Sequence, residues 1–190
     1  MILKRFILSA ALSVPTAPAL AHTGAGPSAD FTTGFLHPVH GLDHVLVMVT
    51  VGLFAALLGG RALWTVPASF VVMMLAGGSL GLAGTDIPAA ETGIVVSIIV
   101  IGGVVALGGA WPASAAMALV GVFAVFHGYA HGAEMPLGSG AISYSLGFAT
   151  ATALLHGIGI AGGMASLRSR QAIRFAGAAV ALMGIVVAVA

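Results

Sequence analysis

Cysteine is absent from this 190-residue chain, which excludes disulfides, thiolate metal cages and thiol nucleophiles. Charge is nearly as scarce: 6 % of the residues are Asp, Glu, Lys or Arg, against roughly 25 % in a soluble domain. Six basic and five acidic side chains cannot solvate the surface of a compact chain of this size. A net charge of +1 leaves no basic excess for nucleic acid. There is no G-x-x-x-x-G-K-[ST] segment, so nothing in the chain reads as a nucleotide-driven motor. Two Trp, two Tyr and nine Phe make aromatic packing a minor theme.

What remains is apolar. The AVILMFWYC set makes up 59 % of the chain and mean hydropathy is +1.15. Such a composition needs lipid as its solvent, and the expected fold class is all-α, a polytopic membrane helix bundle. The 28 glycines suit it, since small residues let membrane helices approach closely.

Lys4 and Arg5 precede the apolar run Phe6 to Val14, Pro15 interrupts it, and Ala19-Leu20-Ala21 places small residues where a signal peptidase reads them. We read residues 1–21 as a cleaved signal peptide rather than an anchor, because the run falls short of the ~20 residues a spanning helix needs. The mature domain would be 22–190. Six apolar stretches follow: Pro38 to Leu58, Trp64 to Ala83, Pro88 to Gly108, Pro112 to His131, Ala141 to Gly163 and Ala172 to Val189. Gly, Pro and polar residues separate them. No loop is large enough to be a domain, and no internal repeat is evident.

A cleaved leader puts His22 outside the cytoplasm. The loops then alternate, and Arg61, Arg168, Arg170 and Arg174, all the basic residues of the mature chain, fall on the cytoplasmic side. Asp30, Asp86 and Glu134 fall outside. An odd number of spans would split the arginines, so six spans with both mature termini periplasmic is the expected topology of a multi-pass protein of a bacterial inner membrane.

Ionisable groups inside spans are costly, so a functional role is the default expectation. Asp43 and Glu91 lie inside the first and third spans, within ~8 Å of their outer ends at 1.5 Å per residue. The alternative is a protonated carboxyl bonded to nearby backbone. The first span opens His37-Pro38-Val39-His40-Gly41-Leu42-Asp43-His44. Proline favours the first helical turn, which would leave His37 just ahead of the helix and put His40, His44 and Met48 on one face within about 80°. Phe126-His127-Gly128-Tyr129-Ala130-His131-Gly132-Ala133-Glu134 closes the fourth span. His127 and His131 stand at i, i+4, the spacing that presents two imidazoles to one ion, and Glu134 joins them if the helix persists another turn. Gly128 and Gly132 would admit a neighbouring helix, for which we expect the first span. His156, about 22 Å into the fifth span, reads as a deeper relay point or as a hydrogen-bonded packing residue beside Gly157 and Gly159. Met48, Met73 and Met74 offer thioethers along a path, although methionine in a span is commonly packing. His22 is a further imidazole near the expected mature terminus.

Imidazole with carboxylate and no thiolate suits Ni²⁺, Co²⁺, Zn²⁺ or Cu²⁺ without choosing among them. An all-oxygen cage for Mg²⁺ or Ca²⁺ would not need clustered histidines.

The stretches HPVHGLDHVLVM, FHGYAHGAEMP and GFATATALLHGIGI resemble the HupE/UreJ family of small membrane proteins, associated with nickel-iron hydrogenase and urease maturation. The resemblance covers the signal peptide and all six spans. It implies a non-enzymatic nickel permease acting by facilitated diffusion, with cobalt a second cargo and no permanent cofactor. It also implies that His37, Asp43, His44, His131 and Glu134 of the two motifs, the intramembrane acid Glu91 and the second-span Phe70 are functional. Nothing else about Phe70 singles it out from ordinary packing. The expected partners are a divalent ion and the lipid bilayer, with no nucleic acid or nucleotide, and self-assembly is left open. The rivals are a membrane-embedded zinc hydrolase with Glu91 or Glu134 as general base, and a metal sensor or assembly partner.

Overall fold

The computed structural model describes residues 30–135, 140–166 and 169–189. The expected leader, His22 and Arg168 lie outside the described residues. Every regular element among them is a helix: α1 (Phe31–His40), α2 (Leu42–Leu58), α3 (Ala62–Leu82), α4 (Ala90–Leu107), α5 (Ala113–Glu134), α6 (Ala141–Ala165) and α7 (Arg170–Val189). The five helices α3 to α7 are each long and apolar enough to cross a bilayer, and α1 with α2 makes a sixth candidate span bent by 85°.

That bend corrects the straight first span expected from the sequence. α1 starts seven residues before Pro38, capped by Asp30, whose side chain accepts a hydrogen bond from the Thr33 N–H at 2.8 Å. The same bond holds the exposed Asp30 carboxyl below its ordinary pKa. Pro38 therefore sits inside the helix, where it lacks the N–H that would bond the Gly34 carbonyl. The helix ends two residues later. Gly41 takes an extended conformation (φ −88°, ψ 114°), and α2 sets off in a new direction. His37 is thus helical, and His40 is parted from His44 and Met48: it is exposed, while they are fully buried.

α2 is the central post. Val47, Met48, Val51 and Phe54 are wholly buried, packed with Phe70 of α3, Ile98 and Ile101 of α4, and Val120 of α5 in one apolar cluster. α3 runs along α5, α4 along α7, and α6 along both α1 and α2. Lipid tails are as apolar as leucine, so hydrophobic transfer does little to hold these pairs together and close van der Waals packing must. The glycines supply it. A Cβ on Gly128 would collide with the Met74 carbonyl oxygen, and one on Gly132 with that of Gly78. The G-x-x-x-G pair of α5 therefore receives α3, the second span, rather than the first. At the opposite extreme α7 buries only Ile173, Gly177 and Gly184, and turns Phe175, Leu182 and Val189 outward.

Alternation of the helices sorts the charges. The α1–α2 bend, Asp86 and Glu134 share one end of the bundle, and Arg61, Arg170 and Arg174 share the other. Arg174 also fastens α7 to α4, its Nε donating to the Ala106 carbonyl at 2.8 Å.

Candidate functional site

The site lies at the acidic end, where the bend drops α1 across the mouth of the bundle. Asp43 and His44 occupy the first turn of α2, and the His44 Nδ1 is 2.8 Å from Asp43 Oδ1. A carboxylate can only accept, so Nδ1–H donates to it and the His44 Nε2 keeps its lone pair. That nitrogen is 2.6 Å from Nε2 of His131 on α5, so with both rings neutral His131 Nε2–H donates to it. A carboxylate that fixes the tautomer of an imidazole is the usual outer support of a metal-binding histidine.

Other rings continue this pair in both directions. His37, from the last turn of α1, has its centroid 4.4 Å from that of His131 and 6.0 Å from that of His44. Phe148 of α6 lies 4.6 Å from His131, and Tyr144 one turn before it lies 6.1 Å from His37. On the core side His127 stands perpendicular to His44 at 5.1 Å. Its Nε2 is 3.0 Å from Ser97 Oγ of α4. The Ser97 hydroxyl donates to the Ile94 carbonyl at 2.5 Å, so it accepts from His127 Nε2–H. The His127 Nδ1 therefore carries a lone pair, and it is buried without a hydrogen-bond partner. Phe70 comes next, 5.8 Å from His127, and beyond it His156 at 5.1 Å.

The structure thus gathers His37, Asp43, His44, His127 and His131 into one cluster, with Phe70 and His156 in line beneath it. Met48 is one turn along α2 from His44 and fully buried. Glu91 is the second residue of α4, as Asp43 is of α2, and is exposed at the same end of the bundle. Glu134 ends α5, so the helix does persist through it, and it too is exposed. His40 is not brought into the cluster. Neither ring nitrogen of His156 has a hydrogen-bond partner, which removes the reading of that residue as a hydrogen-bonded packing histidine. Met74 accepts a hydrogen bond from Thr152 at 3.7 Å, whereas Met73 is partly exposed, its side chain against Gly121 of α5.

Among the described residues no three His, Asp or Glu side chains have the mutual spacing of a preformed metal cage. The site is an imidazole pair oriented by a carboxylate, with more imidazoles at ring-contact distance. A cleft of about 260 Å³ between α3, α5 and α6 reaches it, walled by His131, Tyr144, Phe148 and Met74. Three contributors escaped the sequence reading: Ser97, Tyr144 and Phe148. The serine is one of two hydroxyl residues in a largely aliphatic span, with Thr92 the other, and the two aromatics are at i, i+4.

Relationships to known proteins extend over most of the chain. The family model described as HupE / UreJ protein matches residues 10–187. Protein HupE of Rhizobium leguminosarum bv. viciae is 44 % identical over 182 residues, covering 93 % of this chain and 94 % of the relative. No solved structure matches the present chain. This multi-pass inner-membrane protein, built around a buried histidine pair, belongs to the HupE/UreJ family.

Proposed function

We propose that the chain is a secondary permease that admits Ni²⁺, with Co²⁺ as second cargo, across the inner membrane for hydrogenase or urease maturation. The observation that carries this reading is the approach of His44 Nε2 to His131 Nε2, with Asp43 holding the first ring in register. A divalent ion arriving there meets two imidazole nitrogens once the hydrogen they share moves to Nδ1 of His131, the tautomer that leaves its Nε2 a lone pair for the ion. Family membership supports the same role, and the hydrolase alternative gains nothing from it.

In this reading the acidic end faces out and the arginine end faces the cytoplasm, as positive-inside loops require. Asp86, Glu91 and Glu134 are exposed near the entrance and attract cations. Water completes the coordination shell around the imidazole pair, so the ion is held by few protein ligands and can leave, as conduction demands. The membrane potential supplies ~2.3 kcal/mol per charge per 100 mV, hence about 4.6 kcal/mol for a doubly charged ion, enough for roughly thousandfold accumulation.

The test is radioactive nickel uptake in cells lacking other nickel importers, at matched membrane expression. Wild-type uptake that collapses in Asp43→Asn and His131→Ala, while His40→Ala retains it, is the expected result. A well-expressed wild type that takes up no nickel would overturn the proposal.

A further inference from the structure

The residue that the outer cluster does not absorb is His156. It is fifteen residues from the start of α6, or about 22 Å along the helix, and only 1 % exposed. Both of its ring nitrogens are buried without a hydrogen-bond partner. A buried polar group normally finds such a partner, because forgoing its hydrogen bonds to water is costly. His127, by comparison, is anchored through one nitrogen by Ser97. Nor is the position a slack one. A Cβ on Gly52 of α2 would collide with the His156 carbonyl oxygen, so the backbone carrying the ring is clamped between helices.

The neighbours give the ring a context. On its flank lies Phe70, edge to face at 5.1 Å, and Phe70 in turn contacts His127. One turn along each helix, Thr152 of α6 donates to the Met74 sulfur of α3. Met74 also lines the cleft that touches His131. From His37 through His131, His44, His127 and Phe70 to His156, successive ring centroids are 4.4 to 5.8 Å apart. In that column Phe70 is the one ring that cannot ligate an ion.

The structure assigns His156 as a second, inner station for the transported divalent cation, separated from the outer histidine cluster by the Phe70 ring. The inference rests on the permease reading and adds an intermediate stop to it. A neutral imidazole with free nitrogens is a ligand for a borderline ion, and the Met74 thioether one turn toward the entrance is a softer one. Two weak stations separated by an apolar ring let an ion leave the first without entering a tight cage, and Phe70 must turn aside for each transfer.

The test uses tag-free, full-length protein in lipid nanodiscs titrated with Ni²⁺, and the same protein in vesicles enclosing a nickel-quenched dye, for wild type, His156→Leu and His156→Gln. The wild type is expected to bind two ions per chain. His156→Leu should lose one and keep the other at unchanged affinity, and vesicle uptake should fall at least tenfold. Its melting temperature should equal or exceed that of the wild type, because an unsatisfied polar ring has been replaced by an apolar side chain. Equal stoichiometry and equal flux in wild type and His156→Leu would overturn the inner station and leave the permease intact. A wild type that carries no Ni²⁺ would overturn both. Lower melting temperatures in both variants, together with loss of the outer ion, would make His156 a structural residue and overturn the station as well.

Discussion

The Nε2 atoms of His44 and His131 face one another at 2.6 Å, although 87 positions separate the residues. Asp43 governs which protons sit between them, because its carboxylate fixes the His44 ring from the far side. Asp43→Asn keeps the shape and removes the charge. Nickel affinity at the outer cluster is expected to fall about 10- to 100-fold, the usual cost of losing the outer partner of a ligating histidine, as read by calorimetric titration.

Gly41 sits against this pair. A Cβ there would be 2.8 Å from both Asp43 Oδ1 and His44 Nδ1, too close for either to stay where it is. Gly41→Ala should therefore cut nickel uptake several-fold while membrane expression and melting temperature hold, since the helices themselves are untouched. Uptake equal to wild type would show that the carboxylate and imidazole tolerate displacement.

The α3–α5 seam predicts a stability contrast. Gly132→Ala places a methyl group against the Gly78 carbonyl and should destabilise the fold by about 1–3 kcal/mol, the range for overpacking a close-packed interface. At Gly162 nothing lies within 4 Å of an added Cβ, so Gly162→Ala should stay within about 0.5 kcal/mol of wild type. Unfolding in detergent, followed side by side for the two variants, checks the contrast.

Ser97 predicts a buried penalty. Ser97→Ala leaves the His127 Nε2–H without its acceptor in a wholly buried position, at a cost of about 1–3 kcal/mol. The same unfolding assay reads it, and an unchanged transition would mean that His127 finds another acceptor.

Asp30 makes the entrance sensitive to acid. Its carboxyl is held below the ordinary carboxylate value by the Thr33 N–H that bonds it. A depressed carboxylate contributes its full stabilisation above the ordinary carboxylate pKa and loses it as pH falls on through the lowered one. Proteolysis near the start of α1 should therefore be unaffected by pH down to about 4 and rise below it. Asp30→Ala should show the faster cleavage already at neutral pH.

How much of this was legible in the sequence depends on the kind of signal. Span positions follow from hydropathy and from the Gly and Pro residues that interrupt it, and α3 to α7 begin and end within a few residues of the expected limits. The two histidine motifs announced the cluster because ionisable groups are rare in spans. The break at Gly41 was not legible. A helical wheel drawn through His40, His44 and Met48 assumes one axis, and nothing local distinguishes a proline that opens a helix from one that helps to end it. The partner of Gly128 and Gly132 was misjudged because a small-residue stripe reports that a helix comes close, not which one. Gly77, Gly78 and Gly81 on α3 were the complementary stripe. The isolation of His156 was beyond reach from sequence, since a ring's lack of partners depends on what the neighbouring helices present to it.

The bend at Gly41 leaves α2 with 17 residues, a rod of about 25 Å. A bilayer's hydrocarbon layer is about 30 Å thick, and a short segment is accommodated by local thinning or by flanking residues that reach outward. α1 suits the second task, since its Leu36 and Val39 are exposed, as is Leu42 at the start of α2. Because α2 is enclosed by its neighbours, its shortness thins the apolar core of the bundle rather than the surrounding lipid. An ion leaving the histidine cluster then has a thinner insulating layer to cross, and the same potential difference falls across a shorter distance.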